Sequence, residues 1–217
     1  MEQTILTTLQ QQVLSLVNQA PEMKHFYLSG GTALAAFYLH HRFSDDLDFF
    51  TDEDPNPMAI EAIVKSIAQT IGTSGTRYEK LHDRRMFFLK TNDGELKLEF
   101  TKYPFVQLDP IEMIDGARVD SLRDVSANKL AALIDRFDPK DFVDLYFILQ
   151  HTSLKDVRRD TEQKFGLKLS SLFLGGELAK VKRVEALPRM IKPLTTDELR
   201  AFFTNQARQL LPNVLDV

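Results

Sequence analysis

The sequence predicts an α+β protein, with strands confined to an N-terminal half and a C-terminal half made only of helices. Three observations carry this. Short apolar runs of strand length fall between residues 25 and 101. Two alternating segments flank Asn92-Asp93-Gly94, a strong hairpin signal. Beyond Pro110 strand signals stop and the apolar spacing is helical. The boundary is expected between residues 102 and 122, giving an α/β core over residues 1–110 and a helical domain over residues 111–217.

In order, Ile5 to Val17 sets leucine and valine among glutamines at helical spacing and predicts an amphipathic helix ending near Pro21. His25 to Leu28 is a short strand-like run that stops at Ser29-Gly30-Gly31. Thr32 to His40 has the alanine and leucine content of a helix. Leu47 to Phe50 is a second strand, followed by a polar loop through Pro57. Met58 to Ile71 is helical, with Ile60, Ile63, Val64 and Ile67 on one side. Met86 to Lys90 and Glu95 to Thr101 form the hairpin. Val125 to Phe137 and Pro139 to Gln150 are two helices joined at Asp138-Pro139, with proline at a first helical position. Helical patterns also run through Ser171–Val184 and Thr196–Leu211.

Composition narrows the function classes. No apolar run approaches the roughly 20 residues of a membrane span. Met1-Glu2-Gln3-Thr4 lacks the basic start and apolar core of a secretory signal. The absence of cysteine excludes disulfides and thiolate zinc sites and fits a reducing compartment, so a cytoplasmic protein is expected. The net charge of −4 hides a gradient, with −8 over residues 1–150 and +5 over residues 151–192. The basic segment suits either a phosphate backbone or a solvated helix surface.

Two motifs in the first half suggest phosphate and metal chemistry. A strand that ends in Gly30-Gly31 and opens into a helix lets backbone amides approach an anion, with Thr32 offering a hydroxyl to a phosphate or capping the helix. On its own the pattern is equally a tight turn. In Ser44-Asp45-Asp46-Leu47-Asp48-Phe49-Phe50, Asp46 and Asp48 are two apart on a strand and point the same way. Paired carboxylates repel unless a positive group sits between them, and a hard cation such as Mg²⁺ bridging triphosphate oxygens is one solution. An exposed acidic strand end is the other reading. In Leu96 to Phe100 strict alternation puts Lys97 and Glu99 on the face opposite the apolar residues. Glu99 is thus a candidate third metal ligand or base, or half of a cross-strand ion pair. In the second half Lys129 and Arg136 lie two helical turns apart, and Asp141 and Asp144 one turn apart. The set could neutralise a triphosphate or be an exposed, salt-bridged helix pair.

Taken together, Gly30-Gly31-Thr32-Ala33-Leu34, His41 through Phe50, Lys129, and Arg136 through Asp144 resemble the AbiEii/AbiGii abortive-infection toxins, nucleotidyltransferase-like proteins of the polymerase-β-like superfamily. The resemblance spans roughly residues 25–150. It implies a polymerase-β-like nucleotidyltransferase core with a small mixed sheet, then a helical domain completing the nucleotide site. It also implies Mg²⁺-dependent transfer of a nucleotide from a nucleoside triphosphate, tRNA acceptor ends as acceptor, and an antitoxin partner. By position, Gly30, Gly31 and Thr32 hold phosphates, Asp46 and Asp48 bind metal, Lys129 and Arg136 contact the nucleotide, and Asp141 closes the site. Glu99 stands where the wider superfamily carries aspartate. A silent nucleotide- or partner-binding module and an enzyme acting on a small molecule remain alternatives.

Overall fold

The structure is a computed structural model that describes residues 5–92 and 94–210. The N-terminal Met1–Thr4, Asp93 of the hairpin turn and Leu211 at the expected end of the last helix lie outside the described residues. The chain forms two compact units. The first comprises Met1–Tyr38, Ser44–Phe105 and Pro110–Ser121; the second comprises Leu39–Phe43, Val106–Asp109 and Leu122–Val217.

The first unit opens with α1 (Thr8–Gln19), whose start is set by a capping box: Thr7 Oγ1 accepts from the Gln10 amide and Gln10 Oε1 accepts from the Thr7 amide. Val13, Leu14 and Val17 form its buried stripe. The opposite end of the Gln10 side chain donates to the carbonyls of Ser44 (2.9 Å) and Asp45 (3.1 Å), fixing the segment that leads into the paired aspartates. Then come β1 (Tyr27–Ser29), α2 (Gly30–Ala33) continuing as a π-helical stretch at Leu34–Leu39, β2 (Leu47–Thr51) and α3 (Pro57–Ile71). Asn56 caps α3 and Gly72 ends it in the left-handed conformation. Next are β3 (Gly75–Leu81), β4 (Arg84–Thr91), β5 (Gly94–Lys102), β6 (Glu112–Ile114) and β7 (Ala117–Val119).

The strands form one mixed sheet in the order β3-β4-β5-β2-β1-β7-β6, with β2 parallel to β5, β1 parallel to β7 and the other neighbours antiparallel. Burial alternates along β2, with Leu47, Phe49 and Thr51 buried, as the sequence predicts for a strand carrying polar groups on one face. Phe49 stacks on Phe100 at 5.2 Å and Phe26 meets Phe100 edge-on at 5.4 Å, placing an aromatic core beneath the β2–β5 pair. The expectation that strands stop at Pro110 is corrected by β6 and β7, which extend the sheet beyond β1. Each has only three residues, too short to show alternation. β3 is also additional: all seven of its residues are exposed, so no apolar period marks it.

The second unit contains α4 (Leu122–Asp135), α5 (Pro139–Ile148), α6 (Leu154–Phe165), α7 (Ser171–Ala179) and α8 (Thr196–Leu210). Asp138 caps α5 by accepting from the Lys140 amide, and Pro139 takes the first helical position as expected. Phe142 and Phe203 meet edge-on at 5.4 Å in a core shared with Leu130, Leu174 and Leu178. α6 has no counterpart among the expected helices, because its buried face is largely polar: Asp160, Thr161 and Lys164 lie on it beside Val157. Lys164 is paired with Asp124 at 2.6 Å, both side chains essentially inaccessible, and Asp124 also accepts from the amides of Leu108 and Asp109. A buried lysine is tolerated only with such a partner. Among the described residues no helix is long and apolar enough to cross a membrane.

Candidate active site

In the first unit, β1, α2 and β2 bring the glycine motif and the paired aspartates together. Ser29 is opposite Asp48 in the β1–β2 ladder, so the turn leaving β1 passes directly over the Asp48 side chain. Gly30 adopts a left-handed φ of +70°, and a Cβ there would stand 2.6 Å from Asp48 Oδ2. Glycine is therefore needed twice, for the backbone conformation and for the close approach of a carboxylate. Gly30→Ala is expected to cost about 1–2 kcal/mol in unfolding free energy and to displace the Asp48 carboxylate. An alanine variant that melts like wild type would contradict this contact.

Thr32 is wholly buried and its hydroxyl donates to the Asp46 carbonyl. Thr32 does not cap the helix, since Ser29 stands at the cap position. The side chain instead ties α2 to the backbone that carries the aspartates. Ser29 Oγ donates to Asp120 Oδ2 at 2.7 Å beneath the turn, a buried contact that sequence spacing did not reveal because 91 residues separate the two.

Asp46 is about half exposed and Asp48 is partly exposed. Both face Lys97, whose Nζ lies 3.6 Å from Asp46 Oδ2, 3.9 Å from Asp48 Oδ1 and 2.8 Å from Glu99 Oε2. The parallel register pairs Asp48 with Glu99, which brings the three carboxylates to one end of neighbouring strands. Glu99, however, is buried and held bidentately by Arg84, Nε to Oε1 at 2.6 Å and Nη2 to Oε2 at 2.8 Å. Burial alone would raise its pKa, but hydrogen bonds from Arg84 and Lys97 and their charges bring it down to about 2. Glu99 thus lies beside the aspartates and forms the cross-strand ion pair, engaged by two cations. Arg84 was not singled out by sequence; it sits one residue past a hairpin turn, in a run without alternation. Among the described residues no group of three or more His, Asp or Glu side chains is arranged to hold a metal.

The second unit holds a separate charged centre. Asp144, fully buried on α5, accepts from Arg42 Nε (2.6 Å) and Nη2 (2.8 Å), meets His41 Nε2 at 2.7 Å and pairs with Lys129 Nζ at 2.6 Å. One turn earlier Asp141 pairs with Lys129 Nζ at 3.0 Å and Arg136 Nε at 3.1 Å. Lys129 on α4 and Arg136 just past its end both reach Asp141, but the expected alternative of an exposed helix pair fails: both aspartates and Lys129 are buried. Burial would lower the Lys129 pKa, yet Asp144 and Asp141 hold it above its ordinary value. Burial would likewise raise Asp144, and Lys129 and Arg42 hold it well below the carboxylate range. His41 is lowered, because burial outweighs its bond to Asp144. It is therefore the neutral tautomer that donates from Nε2 to Asp144.

The basic segment is less open than its charge suggests. Arg158 pairs with Glu162, Arg159 with Asp156 and Asp160, and Lys180 with Glu177, while Arg183 stacks 4.3 Å over Phe137.

The chain is similar to known proteins. The family described as the nucleotidyl transferase AbiEii toxin, type IV TA system, matches residues 12–216. An uncharacterized protein of Aquifex aeolicus strain VF5 is 28% identical over 192 residues, covering 87% of this chain and 89% of its own length. JHP933 from Helicobacter pylori shares the fold at a TM-score of 0.60 and 20% identity, with 95% of this chain and 90% of that one covered. MenT4, the nucleotidyltransferase toxin Rv2826c from Mycobacterium tuberculosis H37Rv, superposes at 0.51 with 17% identity over 93% and 84% of the two chains. With the family match running through both units, the chain belongs to the AbiEii nucleotidyltransferase toxins of type IV toxin–antitoxin systems.

Proposed function

We propose that the protein transfers a nucleotide from a nucleoside triphosphate to an acceptor hydroxyl, with Mg²⁺ held by Asp46 and Asp48 and the acceptor end of a tRNA as substrate. The observation that carries this is the contact of Gly30 with Asp48. A phosphate-type glycine turn is built directly against a carboxylate, and an oxygen-donor pair in that position suits a hard cation that itself binds phosphate oxygens.

The acceptor oxygen forms a bond to the α-phosphorus while the bond to the bridging oxygen breaks, and pyrophosphate leaves. When bound, Mg²⁺ supplies neutralisation of the charge that develops on those oxygens. The chain's own residues position the donors. Thr32 fixes the Asp46 backbone, Gly30 makes room for Asp48, and Gly31 follows as the second residue of the short helix beside them. Lys97 holds a positive charge among the three carboxylates. Glu99, with a pKa near 2, is a weak proton acceptor, and we assign it to anchoring Lys97 and Arg84. In the helical unit Asp141 holds both Lys129 and Arg136.

Incubation with each labelled triphosphate, Mg²⁺ and total tRNA should place label on RNA. Label only on small molecules would favour the small-molecule enzyme, and no label under any condition would favour a silent module. A cognate antitoxin protein should suppress the labelling. Glu99→Gln is expected to lower transfer by about tenfold or less, against roughly 10²–10³-fold for the aspartate pair. Equal losses at all three positions would make Glu99 a third metal ligand.

A further inference from the structure

β3 stands at one end of the sheet and pairs only with β4. Its register fixes which of its backbone groups remain unused. His82-Asp83 is a two-residue connection, so Leu81 and Arg84 form a mutually hydrogen-bonded pair, and Glu79–Met86, Arg77–Phe88 and Gly75–Lys90 follow at every second position. The N–H and C=O groups of Thr76, Tyr78 and Lys80 therefore point outward from the edge. Every residue of this seven-residue strand is exposed, and it contains no proline.

We propose that the chain forms a two-fold symmetric dimer in which β3 pairs antiparallel with β3 of a second copy, in the register centred on Tyr78. That register matches all seven residues. It sets Tyr78 against Tyr78 and Thr76 against Lys80 as the hydrogen-bonded pairs, using the outward groups on both strands. It also sets Arg77 of each copy against Glu79 of the other, so the strand's charge pattern is complementary to itself. Sliding by two residues in one direction opposes Arg77 to Arg77, and in the other Glu79 to Glu79. The charges thus select one register and, by the two-fold, one partner: another copy of this chain.

The flank of the edge supports the same occupant. Thr76 and Tyr78 lie on the α3 side, where they line a groove of about 480 Å³ with Val64, Ala68 and Phe87. Tyr78 is 46% exposed there. A two-fold perpendicular to the sheet keeps both α3 helices on one face and brings the two grooves together, so each tyrosine is covered by its counterpart. On the opposite face Arg77 lies 3.7 Å over the Phe88 ring of β4, and within its own chain it pairs with Glu79 and, at 3.7 Å, with Glu95 of β5, contacts that the dimer exchanges for Glu79 of the second copy.

The test is sedimentation of the full chain from about 1 μM to about 500 μM. The mass should rise from 24.9 kDa toward twice that value. Arg77→Glu and Glu79→Arg should each weaken dimerisation by about tenfold or more, since each sets two like-charge pairs opposite one another. An equimolar mixture of the two single variants should dimerise again, because each chain then carries the charges its partner lacks. The double variant R77E/E79R should dimerise like wild type, and it keeps the test open if a single variant folds poorly. Wild type that stays at the single-chain mass throughout would overturn the proposal. So would single variants that dimerise like wild type, or a mixture that stays monomeric.

Discussion

Asp48→Asn is expected to lower nucleotide transfer roughly 10²–10³-fold while leaving the melting temperature within a few degrees of wild type. The substitution preserves shape, so the contact with Gly30 is kept and only the charge and one acceptor oxygen change. Asp48 is partly exposed and 3.9 Å from Lys97, a separation at which an ion pair near solvent contributes little to stability. Its charge matters to chemistry because the electrostatic demand peaks when the leaving pyrophosphate takes up charge. Transfer kinetics and a thermal melt on the same preparation separate the two effects. Normal turnover in the variant would remove Asp48 from the metal site and with it the proposed function.

Asp144→Ala should be the most damaging single change to stability, at about 3–5 kcal/mol, a large share of the roughly 5–15 kcal/mol available to a domain. It strips Arg42 of a bidentate partner and leaves Lys129 with Asp141 alone, two buried cations close together and undercompensated. A urea titration at neutral pH should show the midpoint falling with it. The same centre makes stability pH-dependent. The folded pKa of Asp144 lies well below its ordinary 3.8, so its contribution is complete above that value and is lost as the pH falls further. His41 has a folded pKa below its ordinary 6.5, so in that window the unfolded chain binds the extra proton and stability declines as the pH drops below about 6.5. Both slopes have the same sign. His41→Gln should flatten the decline between about pH 7 and pH 5; an unchanged slope would assign it to other groups.

Much of the site was legible because its signals are local. Asp46 and Asp48 are two apart and both face Lys97, Lys129 and Arg136 are close enough in sequence to meet at Asp141, and Gly30 is marked by its place between a strand and a helix. Burial was harder to read. Asp141 and Asp144 look like surface charges until Arg42, a hundred residues away in sequence, closes on one of them. No periodicity joins an arginine in a loop to an aspartate on a helix. Strands failed where the pattern had no apolar term: β3 buries nothing, and β6 and β7 are too short to alternate. α6 was missed for the reverse reason, since it buries polar groups that satisfy one another. Glu99 shows the limit of residue type as a guide. Its carboxylate stands where a ligand is expected, but Arg84 and Lys97 meet its charge.

The segment Leu39–Phe43 belongs to the helical unit although it is encoded amid the first. It carries Arg42 and His41 to Asp144, and the His41 carbonyl accepts from the amides of Ile191 and Lys192 while the Phe43 amide donates to the Arg189 carbonyl. In a chimera between two family members, a crossover at a single point near residue 121 would carry the helices without the arginine they were selected with. A cassette exchange would have to move residues 39–43 together with residues 122–210 to keep both ends of the Asp144 centre from one parent. Inheritance of this toxin's helical half is thus tied to five residues written more than seventy positions upstream, and recombinants that break the tie should be purged by misfolding rather than by loss of chemistry.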